Sequence, residues 1–388
     1  MQKVKFGVIG CGSIAEIAHF PSIKEIPEAE LVAVCDTNEE TAREAASKWK
    51  AKAYFTDYRK MLTRENLDAA IIATPNCFHR DQALAAAEAK VHVLVEKPMA
   101  ITNKEAWDIV EGCKKAGIKL MVGCDRRFCI QNEYAKELVD QGVIGKVLMA
   151  NAIMYEHWDL YQGSIAKTDF RLKGEEAGAA AVSDTGAHAI DLLTWLVGSV
   201  VKRVVGVAKR LAMPEDYTLL DDTVWILMEH KSGSYSCVTC NRFSRAAIQS
   251  TSLYGNEGSI MTSSDATTPF QTAPLAVFTD KDYNAEDLPR IIRDYRYPQL
   301  FWAEDLVNRP VSKRWVPIYP PRESNYARMI KHFVGCILED KEPRVTGEDG
   351  AKAVEVMCAV FKSMETGGWV DLPLKEEVVP PYYEPQRR

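Results

Sequence analysis

The first ~125 residues alternate short apolar runs with stretches of helical period. Strand-like runs fall at Lys5–Ile9, Glu30–Cys35, Ala69–Ala73, His92–Val95 and Lys119–Val122, with helical segments such as Glu39–Lys50 and Arg80–Ala89 between them. Apolar strands joined by helices predict a parallel sheet covered on both faces, because right-handed crossovers place the helices there. The rhythm changes after Gly123. Glu133–Gln141 reads as a helix, followed by longer runs that alternate apolar and polar: Val147–His157, Val201–Leu211, Asp222–His230, Tyr235–Phe243 and Gln249–Tyr254. Such runs predict an antiparallel sheet with one buried face. Gly255-Asn256-Glu257-Gly258 is a tight-turn signal after the last of them.

Residues 262–320 are less regular, and Asn308–Pro321 holds four of the prolines, the pattern of an irregular insertion rather than a domain. Two helices follow, Glu323–Glu339 and Asp349–Glu365, with Phe333, Ile337, Val354, Met357 and Val360 on their apolar faces. The tail after Leu374 is polar and contains proline, which suits an exchanged arm or a disordered end. The expected division is a dinucleotide-binding domain over 1–126, an α+β domain over 127–374 and a tail over 375–388.

A chain of 388 residues is long enough for two cores. Its net charge of −6 argues against nucleic-acid or membrane-surface partners, which usually meet a basic stripe. Met1 to Lys5 lead straight into Phe6-Gly7-Val8-Ile9 with no leader pattern, and no run approaches the ~18 apolar residues of a spanning helix. The ten cysteines are scattered, which favours a reducing cytoplasm. Cys237 and Cys240 form a C-x-x-C pair, but an alternating strand points them to opposite faces.

The chemistry begins at Gly10-Cys11-Gly12-Ser13-Ile14-Ala15, between the first strand and a helix. Gly10 allows the sharp turn, Gly12 admits a pyrophosphate, and Ala15 keeps the helix close to the strand. Asp36 ends the second strand, where a carboxylate accepts from both ribose hydroxyls and repels a 2′-phosphate. No arginine occurs among Thr37–Thr41, which favours NAD over NADP. Thr74, Pro75, Asn76 and His79 follow another strand at the carboxyl edge of the sheet, where ligands of open α/β sheets bind.

Glu96-Lys97-Pro98 follows the fourth strand, and with the glycine motif it makes the chain resemble the Gfo/Idh/MocA oxidoreductases. Asp184-Thr185-Gly186-Ala187-His188-Ala189-Ile190-Asp191, the Gly255–Gly258 turn and the helix from Ala351 carry the resemblance across nearly the whole chain. It implies an α/β Rossmann domain followed by an α+β domain with an open, mainly antiparallel sheet. One face of that sheet commonly packs on a second subunit, so a homodimer or homotetramer is expected.

The resemblance also implies an NAD-dependent oxidation of a hydroxyl on a sugar, glycoside or cyclitol, with Lys97, Asp184 and His188 in the pocket. Lys97 would stabilise charge on the substrate oxygen or itself take part in the proton transfer, and Glu96 and Lys97 would border the nicotinamide. His188 is the natural acid–base group, and Asp184 would orient its ring or contact a substrate hydroxyl. Arg126 and Arg127, where the chain enters the second domain, and the cluster Tyr155, His157, Trp158 and Tyr161 are candidate substrate contacts. No metal is expected, since only His157 and Asp159 offer further ligands.

The insertion and the run Gly178-Ala179-Ala180-Ala181, less flexible than the family's glycine-rich stretch, favour a larger substrate such as a glycoside oxidised at its C3 hydroxyl. Two other readings stay open: an NAD-recycling glycoside hydrolase or lyase acting through a 3-keto intermediate, and a non-catalytic dinucleotide-binding sugar sensor.

Overall fold

A computed structural model describes residues 3–157, 170–212, 221–263, 273–284, 286–296, 310–381 and 383. The expected βα alternation forms, with strands at Val4–Ile9 (β1), Ala29–Cys35 (β2), Ala53–Phe55 (β3), Ala69–Ile72 (β4), His92–Val95 (β5) and Leu120–Val122 (β6). They make a parallel six-stranded sheet in the order β3-β2-β1-β4-β5-β6. The order reverses between β1 and β4, and the crevice at the carboxyl ends of those strands is where such a sheet receives a ligand. Helices such as Glu39–Trp49 and Asn103–Ala116 cover the sheet. Asn38 and Thr102 cap them, accepting from Thr41 N and Glu105 N.

The second sheet is built from Val147–His157 (β7), Val201–Lys209 (β8), Thr223–His230 (β9), Tyr235–Asn241 (β10), Phe243–Gly255 (β11), Gly258–Ser263 (β12), Leu275–Thr279 (β13), Trp315–Ile318 (β14) and Val370–Asp371 (β15). Its nine strands run in the order β14-β13-β12-β11-β7-β10-β9-β8-β15. All neighbours are antiparallel except β10 and β7, which pair in parallel from Tyr235–Met149 to Asn241–Tyr155. The run expected over Tyr235–Phe243 is interrupted: β10 ends at Asn241, Arg242 forms the corner, and β11 starts at Phe243. The irregular segment does more than decorate the fold, because its described parts add β13, β14 and the helix Arg290–Tyr295 at one sheet edge.

Alternation divides this sheet into two unlike faces. Val224, Ile226 and Met228 of β9 are buried on the side covered by the helices Thr185–Val197 and Gly347–Thr366. Trp225 and Leu227 of the same strand are exposed on the other side. Register sets Val207 beside Trp225 and Tyr235 beside Met149, and these exposed side chains form a continuous apolar stripe. Cys237 and Cys240 lie on opposite faces, as alternation requires, the second fully buried.

Late segments return to the first sheet. Val122 N donates to Val345 O at 3.2 Å, and Met121 bridges Thr346. The described part of the tail, 375–381 and 383, is docked, unlike the exchanged arm or loose end expected of it. Asn103 Nδ2 donates to Glu376 O (3.0 Å), Val378 N to Asn103 Oδ1 (2.9 Å) and Thr102 Oγ1 to Glu377 (2.9 Å). Tyr383 packs on Cys77 and Ile101 and donates its hydroxyl to Glu105 Oε1 (2.5 Å). The capping residues of one helix thus also anchor the end of the chain. Among the described residues no helix is long and apolar enough to cross a membrane.

Candidate active site

At the end of β1, Gly10 has φ of +94°, and a Cβ there would meet Ala73 O at 2.6 Å, so the turn requires glycine. A Cβ on Gly12 would instead project into open space, the space a pyrophosphate needs. Asp36 is fixed by the loop it faces: Oδ2 accepts from Cys11 N (3.0 Å) and Oδ1 from Asn38 N (2.9 Å). Each oxygen keeps a lone pair for a ribose hydroxyl. The thiols of Cys11 and Cys35 are pushed up to about 12, mainly by burial and then by Asp36, so neither is a nucleophile at neutral pH. The helix after the glycine turn opens with a wide π-type turn, Ala15–His19, that leaves Ile17 75% exposed beside the crevice. Such turns often mark functional positions.

A cavity of about 510 Å³ opens where the two sheets meet. Ser13, Ile14, Thr74, Asn76, Glu96 and Lys97 border it from the first domain. Arg126, Glu156, Asp184, His188, Arg242, Gln249 and Tyr326 close it from the second side. Asn76 Nδ2 donates to Ala177 O at 2.9 Å, tying the two walls together. Pro75 is half-buried at the start of the Asn76 turn. Glu96 is buried and braces the loop, its Oε1 against His19 Nε2 (2.8 Å) and its Oε2 accepting from Lys97 N (3.2 Å). The Lys97–Pro98 bond is cis.

Lys97 Nζ meets Asp184 Oδ1 at 2.5 Å, and Arg242 Nη2 meets Asp184 Oδ2 at 2.6 Å. Asp184 is the residue before the helix Thr185–Val197, yet it makes no cap hydrogen bond with its side chain. Its carboxylate turns to the cavity instead. Burial opposes its charge, but Lys97, Arg242 and Arg171 outweigh that and hold it well below the ordinary carboxylate range. One turn along, His188 Nδ1 lies 3.2 Å from Asp125 Oδ1. Asp125 is buried, and Arg126, His188 and Lys97 together hold its carboxyl far below its usual value against the penalty of burial. Asn325 donates to its other oxygen. The carboxylate at ion-pair distance from the His188 ring is therefore Asp125, while Asp184 is taken up by Lys97 and Arg242. With Nδ1 turned to a carboxylate, Nε2 is the nitrogen left for the cavity.

Three expectations need correction. Arg127 is turned away from the cavity into a buried pair, its Nε and Nη2 on Asp191 (2.9 and 2.6 Å) and Nη1 on Asp349 (3.2 Å). Asp125–Phe128 form a 3-10 turn, in which consecutive side chains diverge by about 120°. Tyr155 lies on the open face of the second sheet, because its neighbour Glu156 takes the cavity side. His79 is fully buried and does not line this cavity. Its ring lies between Pro98 O (3.0 Å) and Thr74 O (2.9 Å), joining the loops after β4 and β5. Trp158 and Tyr161 lie outside the described residues, as does the side chain of His157. Among the described residues no three His, Cys, Asp or Glu side chains are grouped to hold a metal ion.

Comparison with known proteins gives the family. A family signature described as "Oxidoreductase family, NAD-binding Rossmann fold" matches residues 4–124, and one for the GFO/IDH/MocA C-terminal domain matches residues 132–261. The chain is 26% identical over 387 residues to a D-apiose dehydrogenase of Paraburkholderia graminis, covering 98% of this chain and 92% of that one. It is also 26% identical over 381 residues to a myo-inositol 2-dehydrogenase of Thermotoga maritima, covering 97% and 100%. The crystal structure of a levoglucosan dehydrogenase in complex with NADH superposes with a TM-score of 0.80 over 96% of this chain and 100% of that one. At 22% identity that likeness speaks for the fold alone.

Proposed function

The chain belongs to the Gfo/Idh/MocA oxidoreductases, with an NAD-binding Rossmann domain, and from that premise we propose that it oxidises a secondary hydroxyl of a sugar, glycoside or cyclitol to a ketone. The observation that carries this reading is convergence. Lys97 with Asp184, and His188 beside Asp125, face one cavity whose other wall is the dinucleotide crevice. The residues fit NAD: Gly10, Gly12, Ser13 and Ile14 would hold the pyrophosphate, Asp36 the adenosine ribose, and Thr74, Pro75, Asn76, Glu96 and Lys97 would border the nicotinamide half. Bound there, NAD supplies the hydride acceptor.

His188 Nε2 takes the hydroxyl proton, and Asp125 stabilises the imidazolium that results. The Lys97 ammonium stabilises negative charge on the substrate oxygen as the carbon loses hydride. Asp184 holds that ammonium in place. Arg126, Glu156, Gln249 and Tyr326 offer alternating donors and acceptors around the cavity, a pattern matched to the vicinal hydroxyls of a neutral polyol. Relatives named for D-apiose and myo-inositol support the same substrate class. The C3 hydroxyl of a glycoside is the first regiochemistry to test. The exposed stripe around Trp225 supports a homodimer or homotetramer.

The test is NADH formation at 340 nm from NAD and a panel of sugars, inositols, sugar acids and glycosides, repeated with Lys97→Ala and His188→Ala. Turnover on one class, lost in both variants, is the expected result. Sugar release from glycosides without NADH accumulation would replace this reading with the redox-neutral hydrolase or lyase. NAD binding with no turnover on any compound would leave the sensor.

A further inference from the structure

Asp184 gives one oxygen to Lys97 and the other to Arg242. Nothing in the sequence pattern marks Arg242, which follows an alternating strand and could be any corner residue. The structure makes that corner specific. Its side chain is 4% exposed, its backbone N donates to Asp222 O (2.9 Å), and its Nη1 donates to Ala180 O (3.3 Å). The guanidinium therefore cannot swing with the solvent as a surface arginine does. It reaches the cavity from the break between β10 and β11, on the far side of Asp184 from Lys97.

We propose that Arg242 is a positioning residue: by claiming one oxygen of Asp184 it fixes where the other holds the Lys97 ammonium, and its charge sets how readily that ammonium releases a proton. The inference rests on the dehydrogenase reading only for its consequence in turnover. A carboxylate held at both oxygens cannot rotate, so Lys97 is confined to one direction. Two cations sharing one carboxylate also repel one another, and the repulsion is little screened where both side chains are largely buried. The other charged groups facing this cluster are Glu156 from β7, Asp221 before β9, Arg171 from the turn at 170–172, and Asp125, which also feels Lys97. Arg242 is the group seen on the second oxygen of Asp184.

The test measures Lys97 without any substrate. The NAD-loaded protein is treated with trinitrobenzenesulfonate across pH 6–11, and modification of the Lys97 peptide is read by mass spectrometry. Arg242→Met removes the repelling charge, so the pH of half-modification moves upward by about one unit or more. Arg242→Lys keeps a charge and leaves the midpoint near wild type, while the shorter ammonium cannot span Asp184 and Ala180 O. On whichever sugar is oxidised, both variants lower kcat at least tenfold with little change in KM, and in Arg242→Met the alkaline limb of the pH–rate profile, where the Lys97 ammonium would be lost, moves the same way.

An unmoved midpoint in Arg242→Met overturns the proposal, as does a shift of equal size in Arg242→Lys. If Arg242→Met does not fold, Arg242→Gln decides by the same midpoint. Absence of turnover on every sugar would refute the dehydrogenase reading and leave the labelling result standing.

Discussion

Replacing Arg127 with methionine strands a carboxylate in the interior. The Asp191 side chain is 1% exposed and that of Arg127 5%, and two parallel bonds of 2.9 and 2.6 Å join them. Losing one partner of a buried pair costs about 3–5 kcal/mol, because the remaining charge has neither water nor a counter-ion. Unfolding entropy of about 2.1 cal/mol/K per residue, taken over 388 residues, is ~0.8 kcal/mol/K. The expected fall in melting temperature is then about 4–6 °C if the chain unfolds as one unit. Differential scanning calorimetry at saturating NAD reads it.

The double variant Arg127→Met, Asp191→Leu removes both charges and recovers most of the loss, since an apolar pair of similar volume has no desolvation penalty to offset. A single variant that melts within 1 °C of wild type would refute the reasoning, as would a double variant no better than the single. A tenfold rise in substrate KM without thermal effect would return Arg127 to the substrate-binding role that its place beside Arg126 suggests.

Asp125→Asn replaces the carboxylate that faces His188 Nδ1, so kcat drops by ~10²-fold or more while the NAD dissociation constant, read by fluorescence titration, stays within twofold. Asp221 is a carboxyl that burial pushes up to about 6, although Ala180 N and Val182 N donate to it. Folded, it binds its proton more tightly than unfolded. Its contribution is complete below its unfolded value of about 3.9 and is lost as pH rises through the folded one. Melting temperature should therefore carry a downward component between pH 4 and 6.5 that Asp221→Asn removes, and identical slopes in the two proteins would contradict this. Trp225→Glu puts a charge in the middle of the exposed stripe. Light scattering on a sizing column should show a smaller species than wild type, and an unchanged mass would mean that this face is not the one that associates.

The dinucleotide half of the site was legible because its chemistry is local. Gly10, Gly12 and Asp36 act through the backbone of one βαβ unit, so their spacing along the chain is their spacing in space. Lys97 was legible for the same reason, as the residue at the end of a sheet strand. Of the substrate half, Asp184 and His188 came only with the family resemblance and Arg126 from its place at the domain entry, and the rest was not legible. Asp125 sat in front of two arginines that drew the attention, and only the tertiary fold brings His188 against it. Arg242 occupies a strand break that alternation smooths over, and Tyr326 comes from a helix about two hundred residues beyond the Rossmann domain. Tyr155 failed by a single position, because in a strand the neighbouring residue owns the opposite face. The short edge strands β13, β14 and β15 have too few residues to carry a pattern, and exist through the partners they pair with.

The docked tail changes what the amino-terminal domain is. Its sheet edge is extended by Val345 and Thr346, and the start of its helix Asn103–Ala116 is fastened by Glu376, Glu377, Val378 and Tyr383. Those residues follow the Rossmann domain by more than two hundred positions, so the nucleotide-binding half is finished late although it is made early. In recombination it is not a cassette that ends at residue 126. Any exchange that moves it to another protein has to carry residues 345–383 as well.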